Sequence, residues 1–371
     1  MMSRAWYSDL VDVEAQAHAA RVAEKIRQEI KQTGLMSFSR FMDLALYAPG
    51  LGYYCVGTEK IGPGGDFVTA PEISPLFSEC LGGYCQKILS QLQHKTILEV
   101  GAGTGRLATG VLHALAKQNC LPERYFILDL SPELQQRQKA FIQENAPEYF
   151  SRVQWLDALP KEAFDGVIIA NEVLDAMPVT LFQKSDNGFF ERCVDLNDQD
   201  EFIWKTRPAS AALLAEIHSL DIDFPANYYS EINSNVDPWI RSLDQVLHQG
   251  EIMVIDYGFL RAEYYHPQRT TGTLMCHYQQ RAHTNPLILT GIQDITAHVD
   301  FTAVGKTAEA LSLKVSHYST QSQFLLNNGL LDLMQKAVTT PEQQFNFANQ
   351  VKMLTLPSEM GELFKVMILK K

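Results

Sequence analysis

The residues best able to do chemistry stand in short runs at the ends of apolar segments. The first run is Ile97-Leu98-Glu99-Val100-Gly101-Ala102-Gly103-Thr104-Gly105. A strand that passes through a glycine turn into a helix lets a ligand approach the backbone closely, and Gly101, Gly103 and Gly105 are spaced for such a turn. Dinucleotide sites use a similar device, so the pattern alone does not fix the ligand. Two details narrow it. Glu99 stands two residues before the first glycine, where it would repel a pyrophosphate but suit a ligand carrying a sulfonium cation. Arg106 makes the run GxGxGR in place of GxGxxG.

Other acids follow at what read as strand ends. Asp129 closes Ile127-Leu128, and Ser131-Pro132 behind it reads as a helix start. An acid at that place in an open α/β sheet can hold ribose hydroxyls. Asp157, after the third strand, is a candidate contact for an adenine amino group. The fourth strand runs into Asn171-Glu172-Val173-Leu174-Asp175. Asn171 falls on the cofactor edge. Glu172 and Asp175, three apart, are expected on one face of a helical turn, where a carboxylate pair can grip a guanidinium in bidentate fashion. Asp256-Tyr257-Gly258 ends the fifth strand on the same edge. Asp66 and Glu72 flank an apolar run in a glycine-rich loop, and Asp66 is placed with the cofactor residues. Of the ten histidines, His298, in Asp294–Phe301, is the one nominated as proton acceptor. The cysteines and histidines lack the paired spacing of a zinc site, so no metal is expected.

These runs need elements to position them. Ala15, Ala19, Val22, Ile26 and Ile30 predict a helix over 11–33, and Ser37 caps a second over 37–47. Residues 48–72, with Gly50, Gly52, Gly57, Gly62, Gly64 and Gly65, read as a long loop ordered by Tyr53, Tyr54 and Phe67, followed by a helix over 74–92. From 96 onward strands at 96–100, 125–130, 153–156, 164–170 and 251–257 alternate with helices at 106–117, 132–145 and 238–248. That alternation argues for a parallel sheet with helices on both faces. Asp186-Asn187-Gly188 and Asn197-Asp198 mark hairpin turns within 180–207, before a helix over 209–220. Residues 258–290 read as irregular. Helices near 301–311, 322–338 and 341–353 and strands at 313–318 and 364–370 close the chain. The expected division is an N-terminal extension, 1–95, packing over the ligand edge, and an α/β domain, 96–371, with insertions near 180–240 and 258–290.

Composition excludes several classes. Apolar residues make up 46% and charged residues 20% of 371, the balance of a globular protein with a sizeable core. Net charge is −12 with no Lys/Arg cluster, which argues against a nucleic-acid partner. No run approaches the ~18 apolar residues of a spanning helix, so membrane insertion is not expected. Asp9, Asp12 and Glu14 do not fit a signal or transit peptide, which points to the cytoplasm. Six cysteines without a CxxC pair suit reduced thiols. The oligomeric state stays open between monomer and homodimer.

Taken together, Phe41-Met42 through Gly52-Tyr53-Tyr54, Gly65–Ser74, Leu98–Gly105, Asp129–Pro132, Asn171–Pro178, Ile255–Gly258 and Asp294–Phe301 resemble the MidA-like methyltransferases. That family includes the mitochondrial protein arginine methyltransferase that assists assembly of respiratory complex I. The runs keep family order over residues 37–301, although Asp129 stands where the family usually has Glu. The resemblance implies a Rossmann-like class I methyltransferase sheet, parallel with an antiparallel C-terminal strand. It implies S-adenosyl-L-methionine as cofactor and a protein arginine side chain as methyl acceptor. Three alternatives remain at this point: a small-molecule methyltransferase, a non-catalytic assembly factor that keeps the cofactor fold, and a nicotinamide dehydrogenase. The last would place its ribose acid about 20 residues past the glycines, whereas Asp129 is 28 beyond Gly101.

Overall fold

The computed structural model describes residues 11–55, 65–66 and 68–371. The readings of Gly57, Gly62, Gly64 and Phe67 lie outside the described residues. The chain forms two compact units. One gathers residues up to 55, Ala176–Ser234 and Tyr264–Ala297; the other gathers residues from 65 to Asp175, Asn235–Glu263 and His298–Lys371.

The second unit carries the main sheet. Its strands are β1 (Thr96–Val100), β2 (Arg124–Leu128), β3 (Val153–Leu156), β4 (Phe164–Asn171), β5 (Leu247–Phe259), β6 (Val299–Asp300), β7 (Lys314–Thr320) and β8 (Phe364–Lys370). They lie in the order β7-β8-β5-β4-β1-β2-β3, with β6 paired to the end of β5. Strands β3, β2, β1, β4 and β5 are parallel, and β8 runs antiparallel between β5 and β7. Strand order reverses at β1, which has β2 on one side and β4 on the other. The crevice at the carboxyl ends of such neighbours is where open α/β sheets take ligands.

The sheet forms here because its strands are apolar throughout. All five residues of β1 are buried, as expected of a parallel strand covered on both faces. Helices α1 (Pro75–Leu89) and α2 (Arg106–Lys117) close one face, with Leu76, Phe77, Leu81, Val111 and Leu112 in one core with Ile97, Ile127, Ile169 and Met253. Helix α3 (Pro132–Asn145) starts as read: the Ser131 hydroxyl accepts from the Leu134 N–H, and Pro132 takes the first position.

In the first unit Met36–Ser37, Thr180–Ser185, Gly188–Leu196, Phe202–Pro208 and Tyr228–Ile232 make an antiparallel sheet. The two hairpins fall where the Asn-Gly and Asn-Asp turns put them. Helix Phe38–Tyr47 lays Phe38 and Phe41 against Trp204 and Phe202, each ring pair 5.4 Å apart.

Several expectations shift. Residues 68–95 belong to the sheet unit, whereas the N-terminal helices share a unit with most of both insertions, so the boundary at 95 does not divide the molecule. Tyr228–Ile232 is a strand that was not foreseen, and the stretch read as irregular contains the hairpin Met275–Tyr278 and Arg281–His283. The helix expected at 238–248 is Val236–Val246, because the chain has already entered β5 at Leu247. Left-handed Gly329, φ +86°, splits the helix read over 322–338.

Candidate cofactor and active site

The glycine turn after β1 has the backbone its sequence requires. Gly101, Gly103 and Gly105 have φ of +69°, +53° and +90°, a region that costs other residues energy. The Gly101 N–H donates to the Leu128 carbonyl at 2.9 Å, which ties the turn to the end of β2. A Cβ on Gly101 would lie 3.4 Å from a Val173 methyl, so the turn also sets the distance to the loop after β4. Glu72, whose side chain is 5% exposed, braces the turn: it accepts from the Thr104 hydroxyl and pairs with Arg106 Nε at 2.6 Å. In the sequence Glu72 stands out only as an acid flanking an apolar run in a loop.

Asp129 stands at the end of β2 with both oxygens engaged. Oδ1 accepts from the Ser131 N–H at 2.9 Å and Oδ2 from Gln138 Nε2 at 2.8 Å. Burial pushes its pKa up, against the pull of those two donors. Gln138 also donates to the Gly103 carbonyl at 3.0 Å and accepts from the Trp155 indole at 3.0 Å, so one side chain joins the glycine turn, Asp129 and β3. Nothing in the sequence singled it out: a buried glutamine on an otherwise polar helix leaves no pattern. Asp157 is exposed after β3 and accepts from Gln135 at 3.2 Å. Leu130, 71% exposed beside Asp129, offers apolar surface at the sheet's carboxyl edge and was also missed.

Glu99 departs from its expected place against the ligand. It is 1% exposed and accepts from the Tyr125 hydroxyl at 2.6 Å, on the sheet face covered by α1. Burial pushes its pKa up to about 7, Tyr125 opposes that, and Asp129 adds to it. The alternation of side chains along β1 explains the difference: Glu99 shares a face with Ile97. Any influence on a ligand passes through the turn above it. Asp66 is buried, within the same unit.

The loop after β4 gathers a second group. Asn171 donates from Nδ2 to Glu172 Oε1 at 3.0 Å, while its own amide oxygen is buried without a hydrogen-bond donor among the described residues. Glu172 and Asp175 do not share a helical turn, because Glu172 has φ +55° and the chain turns there in a left-handed step. The structure nevertheless hangs both residues from the end of β5: the Glu172 N–H donates to the Ile255 carbonyl at 2.8 Å and the Asp175 N–H to Oδ2 of the fully buried Asp256 at 3.2 Å, and burial, then Asp175 and Glu172, push the Asp256 pKa up. His298 lies at the same end of β5, its ring stacked on Phe259 at 5.3 Å and edge-on to Tyr257 at 5.0 Å. Among the described residues no helix is long and apolar enough to cross a membrane, and no His/Cys/Asp/Glu group could hold a metal ion.

Known proteins match this arrangement. The solved structure of a Burkholderia thailandensis protein bound to S-adenosyl-homocysteine superposes with a TM-score of 0.93 at 41% identity, covering 97% of this chain and 94% of that one. The mitochondrial protein arginine methyltransferase NDUFAF7 of Danio rerio is 26% identical, over 93% of this chain and 85% of that protein. Its Homo sapiens counterpart is 28% identical, over 91% and 80%. The S-adenosyl-L-methionine-dependent methyltransferase family model matches residues 80–319, more than half of the chain. With the glycine turn and the reversal of strand order in place, the chain belongs to this family of S-adenosyl-L-methionine-dependent methyltransferases.

Proposed function

We propose that the protein methylates a nitrogen of an arginine side chain on a protein substrate. The observation that carries this is the gathering of Glu172, Asp175 and Asp256 at the ends of β4 and β5, where the turn 172–175 hangs from the Ile255 carbonyl and from Asp256 Oδ2. A group of acids beside a methyl donor suits a cationic acceptor, and the curated relatives are named protein arginine methyltransferases.

Several residues fit the cofactor. Gly101, Gly103 and Gly105 give it backbone access, Asp129 is placed for the ribose hydroxyls, and Leu130 offers a flat apolar surface for the adenine, with Asp157 beyond it. The buried amide oxygen of Asn171 suits a donor such as the cofactor's amino group. Bound S-adenosylmethionine supplies an electrophilic methyl group. The chain's own work is then orientation, because a guanidinium with pKa above 12 is a poor nucleophile. Glu172 and Asp175 hold the two nitrogens that do not react, which localises charge away from the third. His298 is the proposed proton acceptor on the same strand end. Asp66 and Glu99 act indirectly, from buried positions.

The decisive experiment incubates the protein with S-adenosylmethionine labelled in the methyl group and an extract, then hydrolyses the labelled material. Methylarginine in a protein supports the proposal; label in a small molecule or on another residue overturns it. Glu172→Gln should reduce transfer by about 100-fold or more, the scale of losing a positioning group, and leave S-adenosylhomocysteine affinity within about threefold, less than 1 kcal/mol. Loss of binding instead would move Glu172 to the cofactor side.

A further inference from the structure

We propose that Asp256 is a positioning residue: its carboxylate builds the turn that presents Glu172 and Asp175 to the methyl acceptor. This rests on the acceptor reading above, and the test separates the two.

Strand β4 ends at Asn171, and Glu172 leaves it at φ +55°, a left-handed step that is unfavourable for a residue with a Cβ. Something must hold that step. The Glu172 N–H donates to the Ile255 carbonyl at 2.8 Å, which hangs the turn from β5. The next three N–H groups, of Val173, Leu174 and Asp175, all donate to Asp256 Oδ2, at 3.2, 2.9 and 3.2 Å. Three successive amides aimed at one oxygen form a concave anion nest, and here the anion is the protein's own side chain. The other oxygen, Oδ1, accepts from the Tyr257 N–H at 2.9 Å.

No other side chain meets these demands. Four N–H donors need two oxygens on a short stem. Asparagine supplies one oxygen and sets an NH2 against a donor at the other position. Glutamate places its carboxylate one methylene too far along. The choice of a charged group has a consequence. Burial, Asp175 and Glu172 all push the Asp256 pKa up, while the amides pull it down. From the other side, Lys365 on β8 pairs in register with Asp256, but its Nζ bonds the Glu362 carbonyl and lies 5.8 Å from the centre of the Phe259 ring. The His298 ring is taken up by Tyr257 and Phe259. Asp256 therefore couples the shape of the turn to the charge it carries.

The test uses the full chain with Asp256→Asn, which keeps size and one acceptor, and Glu172→Gln beside it. Backbone hydrogen exchange over residues 172–175 should quicken by about tenfold or more in Asp256→Asn, as expected when charge-assisted bonds are lost. S-adenosylhomocysteine affinity, by calorimetry, should stay within about threefold. Methyl transfer from labelled S-adenosylmethionine into extract protein should fall by about 100-fold, the scale of a misplaced catalytic group. Transfer in the Asp256→Asn/Glu172→Gln double variant should fall little below that of Glu172→Gln alone, since both residues serve one acceptor contact. A merely structural role would add its own loss to that of Glu172→Gln. Unchanged exchange at 172–175 overturns the proposal by itself. So does a wild-type rate in Asp256→Asn while Glu172→Gln is inactive. If Glu172→Gln keeps full turnover, the acceptor reading fails instead, and the exchange result still decides whether Asp256 builds the turn.

Discussion

The two sides of the sheet's carboxyl edge treat their acids in opposite ways. Around β1 and β2 each carboxyl has donors of its own: Glu72 has Thr104 and Arg106, Glu99 has Tyr125, and Asp129 has Ser131 and Gln138. Around β4 and β5 three carboxyls share one turn, and Asp256 takes four backbone N–H groups for itself. The first side is a finished frame, in which a ligand meets groups already fixed by the protein. The second side holds negative charge in reserve, which a bound cation would offset. Pre-organised polar groups cost little at the moment of binding, whereas carboxyls that crowd one another repel until a cation arrives. A methyltransferase must hold a cofactor and an acceptor at once, which is reason to separate the two.

The largest expected effect comes from the frame itself. The Glu99 carboxyl, at about 7 against an ordinary 4.5, holds its proton in the folded chain over a range where the unfolded chain has lost it. A raised carboxyl pKa therefore removes stability as pH climbs from 4.5 to 7, after which the loss is complete. Glutamine cannot ionise and can still accept from Tyr125. Glu99→Gln should be more stable than wild type by about 3 kcal/mol above pH 7, with no such gain near pH 4.5. Thermal unfolding at both pH values measures it. An equal difference at both would mean that Glu99 is not neutral in the folded chain, and the contrast between the two sides would lose its clearest member.

Next is Asp129→Ala. It removes the proposed ribose contact and leaves the Gln138 amide without that acceptor. S-adenosylhomocysteine affinity should fall by about 100-fold, the scale of losing charge-assisted hydrogen bonds. The hydrogen exchange of residues 172–175 should stay as in wild type if the two sides are built independently. Slower or faster exchange there would show that they are one system.

Much of this edge was legible in the sequence, and the rest was hidden for identifiable reasons. Gly101, Gly103 and Gly105 announce themselves because left-handed backbone selects for glycine. Asp129 does so because an acid after an apolar strand is rare without cause. The parallel sheet follows from apolar runs that alternate with helices, whereas the antiparallel course of β8 is implied by the family resemblance alone. The face that Glu99 takes is not legible in the sequence, because strand alternation cannot be read when all five residues of β1 are buried. The Glu172–Asp175 step was misread as helical because spacing of three suits a helix, and only the contact with Asp256, eighty residues on, makes the left-handed turn. Gln138 and the division into units depend on contacts distant in sequence, so local pattern holds no trace of them.

The smallest expected effect is also the most direct check on how the cofactor lies. Leu130 is 71% exposed, next to an acid that is almost wholly buried. A large apolar side chain in that setting gains nothing from the fold, since its surface is still in water. A flat ring laid on it would remove that surface from solvent on both partners. Burying most of a leucine side chain is worth roughly 1.5 kcal/mol, so Leu130→Ser should weaken S-adenosylhomocysteine binding by about tenfold. Folding stability should hardly change, because the folded chain buries little of Leu130. Methyl transfer at saturating cofactor should be close to wild type, because the carboxyl group around β4 and β5 is untouched. A serine variant that binds normally would take the adenine off Leu130. One that binds normally but transfers slowly would place the residue with the acceptor, on the β4–β5 side of the edge.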